Sequence, residues 1–374
     1  MIYLDNAATT LEKPGVVYKT YFDAVRRYSA NAGRGGHRMA MRASEMVSDA
    51  AEAVAELFKI DAPERIAFTC NTTLALNLAI HGLLKAGDHV VITGMEHNSV
   101  LRPVVHSGCA YSVAAADDFG CVAPAAVANA MRKNTRLVIV NHISNVCGQI
   151  QDIDAISKVV HARGAFLLVD AAQSAGVTAI DVVRQRIDML AFAGHKGLMG
   201  PLGTGGLYVG AHVELSPLLQ GGSGSESENV YQPSTMPDLL VSGTVNAPAI
   251  AALGSAVRYV QALGESALLS HERALADAFC ARLCEIPQVK LYRSETGGSG
   301  VVSLNIAHKN PVEVSSELDT KFGIAVRSGL HCAPLAHKSL STYPAGTVRF
   351  SFGYFNTMRD VDKTTDAIYK ICKA

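Results

Sequence analysis

The most constraining stretch of this chain runs from Phe166 to Gly210. It reads FLLVDAAQSAG and then, after a short helical connection, DMLAFAGHKGLMGPLGTGGLYVG. Two apolar runs of strand type, Ala165 to Val169 and Met189 to Phe192, each stop abruptly at polar residues. Asp170 and Gln173 follow the first run; His195 and Lys196 follow the second, ahead of a glycine-rich segment. In an open α/β sheet, chemistry gathers at the carboxyl edge, where strands end. A carboxylate at one strand end and a lysine at the next is the pairing that pyridoxal phosphate (PLP) requires. The lysine amine holds the aldehyde as a Schiff base, and the carboxylate keeps the pyridine nitrogen protonated. A surface lysine and a helix-capping aspartate would supply the same two residues, but they leave the glycines and the matched strand ends unexplained.

A chain of 374 residues exceeds a usual single core, so two domains are expected. The apolar fraction of 49% against 18% charged residues describes a compact soluble enzyme. Thirty-three basic and thirty-three acidic residues leave no net field, which makes nucleic acid and anionic membrane poor partners. The opening MIYLDNAATT has neither the basic nor the apolar region of a signal peptide, and no apolar run approaches the ~20 residues needed to cross a bilayer. Eight dispersed cysteines without a C-x-x-C pair read as free thiols in a reducing cytoplasm. Seven of them read as small core residues; Cys332 does not.

In chain order, Ile2 to Asn6 reads as an extended arm and Pro14 to Ser29 as a helix. NAGRGGH (Asn31 to His37) fits a loop that brings backbone close to a ligand, with Arg34 and His37 as contacts; an exposed linker fits it equally well. Arg38 to Phe58 is the clearest helix, with Met41, Met46, Ala50, Val54 and Leu57 roughly on one face. A strand from Arg65 to Phe68 stops at CNTT, and a helix follows from Leu74 to Leu84. That order suits phosphate: free amides, the positive helix end and the hydroxyls of Thr72 and Thr73 face an anion. A plain threonine N-cap is the alternative. His89 to Thr93 is a strand leading to MEHNSV, where His97 could stack on a flat cofactor or be an ordinary core histidine. Arg136 to Val140 is a strand ending in NHISNVCGQ, with Asn145 at the carboxyl edge. Strands that end repeatedly in polar side chains, with helices between them, predict α/β with a mostly parallel sheet. The absence of G-x-G-x-x-G after a strand argues against a dinucleotide site. The Gly-, Ser- and Pro-rich segment between Gly210 and Asn246 reads as a functional or interface loop. Beyond it, helices at 247–263, 271–286, 312–319 and 358–372, with short strands at 289–292, 301–306, 324–327 and 347–352, give a smaller α+β domain.

Cys332 lies in RSGLHCAPLAHKSL, a polar loop between two strands, beside His331 and five residues after Arg327. Cationic and polar neighbours favour a thiolate, and a loop lets the sulfur reach a substrate; a buried inert cysteine is the alternative. Arg349 stands alone among apolar residues in TVRFSF and needs a partner, either a bidentate substrate carboxylate or an internal acid.

The colinear series YLDNAATT, NTTLALN, MEHNSV, HISNVCG, VDAAQSAG, GHKGLMGPLGTG, SGTVN, RSGLHCA and VRFSFGYFNT resembles the cysteine desulfurase and selenocysteine lyase family, in the class V branch of fold-type-I PLP enzymes. The resemblance spans essentially the whole chain. It implies a PLP-transferase fold of type I: an N-terminal arm (1–14) packing with the small domain, a large PLP-binding domain (15–246) on a seven-stranded sheet, and a small C-terminal domain (247–374) carrying the cysteine loop. By that resemblance Lys196 would hold PLP and shuttle the α-proton, Asp170 would pair with the pyridinium nitrogen, Gln173 would hydrogen-bond the phenolic oxygen, and His97 would stack on the ring and take part in catalysis. Thr72, Thr73 and His195 would hold the phosphate. Thr244 would reach the phosphate of a partner subunit, which implies a homodimer. Asn145 and Arg349 would grip the carboxylate of L-cysteine or L-selenocysteine, with His37 as a further substrate contact. Cys332 would take sulfur as a persulfide, leaving L-alanine, and pass it to a sulfur-acceptor protein. The sequence departs from the family at Ala193, where serine is usual, at Asn71, where glycine is frequent, and in the residues after Cys332. The cysteine loop is short, as in members that need an activating acceptor. Two other readings stay open: another class V enzyme (aminotransferase, epimerase or lyase) in which Cys332 is incidental, and an idle scaffold or relay using Cys332 alone. The second leaves the lysine–carboxylate pair without a physical purpose.

Overall fold

The computed structural model describes residues 1–33, 35–293 and 298–373. Arg34, one of the two loop contacts expected from the sequence, lies outside the described residues. The chain opens with strand β1 (Ile2–Tyr3) and helices α1 (Gly15–Arg27) and α2 (Arg38–Phe58). Alternation then sets in: β2 (Ile66–Thr69), α3 (Thr72–Leu83), β3 (His89–Thr93), α4 (Asn98–His106), β4 (Ala110–Ala114), α5 (Pro124–Ala130), β5 (Thr135–Asn141), α6 (Ile153–His161) and β6 (Phe166–Asp170). Strands β7 (Met189–Ala193) and β8 (Gly205–Val209) complete a seven-stranded sheet in the order β2-β8-β7-β6-β5-β3-β4. Strand β8 runs against both neighbours; the pairings among β3 to β7 are parallel.

Both faces of this sheet are covered along its inner strands, which is why these are largely apolar rather than alternating. In β5, Val138 and Val140 join one core with Val54, Phe58 and Leu190, while Leu137 and Ile139 join the opposite core with Leu76, Ile80 and Val104. Helices α2 and α3 therefore sit on opposite faces. The sequence did not reveal β4 or β8. The former is an edge strand with Tyr111 and Val113 largely exposed, and the latter opens on a glycine pair that reads as loop.

The remainder comprises α7 (Ala247–Leu263), α8 (Glu265–Leu283), β9 (Val289–Tyr292), β10 (Val301–Ile306), α9 (Pro311–Phe322), β11 (Ile324–Ala325), β12 (Arg327–Gly329), α10 (Pro334–Ser339), β13 (Thr347–Ser351) and α11 (Met358–Lys373). An antiparallel sheet in the order β12-β13-β10-β9 packs on α8, α9 and α11 through Phe279, Leu318, Val348, Phe350 and Ile368. Leu4 of the N-terminal arm is buried in that same core, and β1 pairs in parallel with β11. Helix α7 packs with the large sheet instead: Leu253, Val257 and Val260 share a core with Val54 and Leu190. Helix α8 begins right after Gly264, earlier than its apolar spacing suggested. No helix among the described residues is long and apolar enough to cross a membrane.

Candidate active site

Five strand ends of the large sheet converge on a cleft of about 470 Å3. Its walls carry Thr72 and Thr73 after β2, His97 after β3, Asn145 after β5, Asp170 and Gln173 at the end of β6, and His195 and Lys196 after β7. These are the carboxyl ends of the strands, where a doubly covered sheet leaves backbone and side chains free of neighbours. A wider cleft of about 1340 Å3 lies elsewhere, between α2, β2 and the segment around Pro237 to Val245, but its described lining holds neither lysine nor histidine.

Lysine and carboxylate are brought together by two glycines. A Cβ on Gly176 would stand 2.7 Å from Gly197 O, and one on Gly197 would stand 2.6 Å from Ala175 O. The turns after β6 and β7 thus touch backbone to backbone. The φ of Gly176, +79°, is itself one that favours glycine. Asp170 is buried, and burial raises its pKa, opposed by the Ala172 amide that donates to Oδ1 at 2.9 Å and by the Lys196 charge. Burial lowers the Lys196 amine to about 8, with Asp170 pulling it back up and Arg349 and Arg327 pushing it further down. A lysine held there is neutral and nucleophilic in about a tenth of molecules at pH 7, several hundred times more often than at the ordinary lysine value of 10.5.

At the other end of the cleft, α3 presents its N-terminus. The cap is Asn71, whose side chain accepts from Leu74 N, so Thr72 and Thr73 are the first two helical residues rather than the cap itself. The asparagine that departs from the family pattern thereby supplies the cap, and the standing preference for Asn at this position is the signal that could have revealed it. His97 caps α4 in turn, its Nδ1 accepting from Ser99 N at 3.0 Å. Burial, together with the Lys196 charge, pushes His97 down to about 4. His195 falls to about 4 through burial and the Lys196 charge, and its Nδ1 lies 3.1 Å from Thr9 Oγ1. Both rings are neutral at physiological pH.

The N-terminal arm forms one side of the site, which the sequence did not reveal. Ala7 O accepts from Gln173 Nε2 at 2.8 Å, Thr10 Oγ1 donates to Lys196 O at 2.9 Å, and Asp5 Oδ1 pairs with Arg349 Nη2 at 2.6 Å. Arg349, only 1% exposed in β13, also donates from Nη1 to Asn145 O at 3.0 Å, while its Nε has no partner among the described residues. The internal acid anticipated as one alternative is therefore Asp5. Asn145 donates from Nδ2 to His331 O at 2.8 Å, and its buried Oδ1 is likewise without a partner among the described residues. An orphaned polar atom in the cleft wall, on a residue bonded to an arginine with an orphan of its own, marks a place for a polar ligand group.

Cys332 is exposed, and its loop is pinned on two sides: His331 O by Asn145 and Cys332 O by Asn98 N at 2.7 Å. His331 and Cys332 take successive left-handed conformations, with φ of 48° and 56°, uncommon for side-chain-bearing residues. The expected cationic neighbour is Arg327, whose Nη2 lies 3.7 Å from the Cys332 sulfur. His331 does not play that part. Its ring is buried against His337, and burial drives it down to about 2.

Two expected residues do not join the cleft. His37 is exposed and caps α2 by accepting from Ala40 N at 3.3 Å. Its glycine-rich surroundings suggested a ligand loop, but the histidine is used for helix initiation. Thr244 is exposed in the segment after β8 and lies outside this chain's cleft, with its neighbours Gly243 and Val245 in the wider one. The polar residues of the cleft to which the sequence reading gave no part in it are Asn71, named there only as a departure from the family, Ser99 and Asn141.

A covered parallel sheet with this lysine–carboxylate edge is the architecture of the class V aminotransferases. Residues 2–364 match the family described as Aminotransferase class-V. The chain belongs to that family, and within it to the cysteine desulfurases. A probable cysteine desulfurase of Methanothermobacter thermautotrophicus is 36% identical over 379 residues, covering 99% of this chain and 94% of the relative. Another from Pyrococcus abyssi is 35% identical, covering 100% and 95%. The apo structure of a cysteine desulfurase from Thermococcus onnurineus NA1 aligns with a TM-score of 0.93 at 33% identity, covering 100% of this chain and 94% of that one.

Proposed function

We propose that this protein is a PLP-dependent cysteine desulfurase that converts L-cysteine to L-alanine and carries the sulfur as a persulfide on Cys332. The observation that carries the proposal is the convergence of Lys196, Asp170 and His97 in one cleft, with the Cys332 loop pinned to its rim. The residues fit the cofactor. Asp170 suits a ring nitrogen, the neutral His97 a ring face, the α3 N-terminus with Thr72 and Thr73 a phosphate, and Gln173 keeps a second N–H beyond the one given to Ala7. Bound there, PLP supplies an electron sink for the charge left when the substrate's α-proton departs.

The chain's own residues do the rest. Lys196, near 8, can hold the aldehyde and afterwards accept and return the α-proton at Nζ. Arg349 Nε and Asn145 Oδ1, both in need of partners, orient the substrate: the guanidinium takes its carboxylate and the amide oxygen a donor. Cys332 thiolate attacks the substrate sulfur, an S–S bond forms as the Cβ–S bond breaks, and the electron pair left on the carbon side is protonated to give alanine. The guanidinium of Arg327 is a partner for that thiolate. A thiol acceptor or an added reductant then takes the outer sulfur.

The exposed Thr244, unused by its own chain's cleft, supports a homodimer in which it serves the partner. The cysteine usage supports a cytoplasmic location, and the exposed Cys332 suits delivery to an acceptor protein. Release of sulfide and alanine from L-cysteine by the PLP-loaded protein with dithiothreitol tests the function. Cys332→Ser should abolish sulfide while leaving the bound-cofactor colour; undiminished sulfide would remove Cys332 from the mechanism. Faster release of selenide from L-selenocysteine, without need of Cys332, would favour the lyase.

A further inference from the structure

Between the start of α3 and the start of α4, three polar side chains are linked in series. Thr73 Oγ1 lies 2.8 Å from Ser99 Oγ, and Ser99 Oγ lies 2.9 Å from His97 Nδ1. The backbone determines which way the hydrogens point. Ser99 N–H donates to His97 Nδ1 at 3.0 Å, so Nδ1 must offer its lone pair and the ring's one proton sits on Nε2. A hydroxyl oxygen 2.9 Å from that lone pair can only be a donor, since two lone pairs at such a distance repel. Ser99 has then spent its hydrogen on the histidine, and its 2.8 Å contact with Thr73 requires the threonine to donate.

We infer that Ser99 is a positioning residue for His97: its hydroxyl completes a one-way chain, Thr73 to Ser99 to His97, that locks the ring's tautomer and tilt and keeps it neutral. Thr73, with its hydroxyl hydrogen committed to Ser99, meets an anion at the α3 N-terminus through its backbone amide. The histidine reports the state of the α3 end of the cleft, because both share Ser99. Burial and surrounding charges act on His97 in the same direction: Lys196 after β7, Arg327 in β12, Arg349 in β13 and Arg102 on α4 all disfavour its cationic form. None of these is changed by altering Ser99. A serine placed merely as a helix-compatible residue would leave the histidine as it is.

The inference rests on the desulfurase reading only for its consequence in turnover, and the two are separable. In apoprotein labelled with 15N-histidine, the Nδ1 resonance of His97, assigned by its loss in His97→Gln, reports hydrogen bonding at that atom. Ser99→Ala should move it downfield by several ppm, Ser99→Thr should restore it, and Thr73→Val should move it less than Ser99→Ala. An unmoved resonance in Ser99→Ala, or a Ser99→Thr resonance displaced as far as the alanine variant's, overturns the inference. In the PLP-loaded enzyme, loss of a bond made to the neutral ring should raise the acid limb of kcat/KM by about half a pH unit. Should the resonance move while sulfide release is absent in every variant, the positioning stands and the desulfurase reading falls.

Discussion

Asp5 and Arg349 stand 344 positions apart, and the carboxylate of the first holds the guanidinium of the second at 2.6 Å. Arg349 cannot reach water, so Asp5 offsets a charge that would otherwise sit unpaired in the core of the small sheet. The same contact leaves Nε of the arginine unspent. Asp5→Ala should therefore lower the unfolding free energy of the apoprotein by about 3 kcal/mol in urea titrations, and the KM for L-cysteine should rise more than kcat falls. Wild-type stability together with wild-type KM would show that the pair is idle.

Arg327 lies beside the Cys332 sulfur but is exposed and outside both cores. Arg327→Ala should slow sulfide release about tenfold, the size of one charge-assisted contact, while cofactor loading, read from the yellow colour, stays normal. A matching loss of colour would place the arginine in cofactor binding instead.

Lys196, lowered to about 8 mainly by burial, sets how the apoprotein captures its cofactor. Only the neutral amine attacks an aldehyde, so the capture rate for pyridoxal phosphate should climb with pH and level off just above 8, rather than near the ordinary lysine value of 10.5. Stopped-flow absorbance measures this. Lys196→Ala should show no borohydride-fixed pyridoxyl group by mass spectrometry.

Glu96, the residue before His97, has no exposure at all and feels the charge of Asp170. Its Oε1 accepts from Thr93 Oγ1 at 2.6 Å and from Asn141 N at 2.9 Å, and burial pushes its carboxyl up to about 8. A carboxyl whose folded pKa is raised contributes stability that is fully present below its unfolded value of about 4.5 and is lost as pH rises through about 8. Glu272, also raised to about 8 by burial, acts in the same direction, so a single variant removes only part of the slope. Glu96→Gln apoprotein should lose less stability between pH 6 and 9 than the wild type, by an amount on the order of 2 kcal/mol. Parallel pH curves for the two proteins would show that Glu96 does not titrate in that window.

Much of this site could be read along the chain because each strand end is a local event. Asp170, Gln173, His195 and Lys196 were visible as polar residues terminating apolar runs, and Asn145 and His97 by the same rule. His37 misled for the converse reason: a polar residue in a glycine-rich turn looks alike whether it meets a ligand or caps a helix. Asn71 was legible as a departure from the family pattern and as good capping chemistry, not as part of a cleft, and nothing local marked Ser99.

By itself the sequence determined the covered parallel sheet, the residues at its carboxyl edge and the isolated cysteine and arginine. Period, strand ends and turn glycines act over a few residues and leave a local mark. Only the tertiary structure decided that Asp5 pairs with Arg349, that Thr9 and Thr10 of the arm meet His195 and Lys196, that Arg327 rather than His331 faces the Cys332 sulfur, and that Thr73 reaches His97 through Ser99. These contacts join residues whose spacing carries no period. They follow from where two sheets and an arm close on one another, which is set by burial of the cores as a whole rather than by any short stretch of chain.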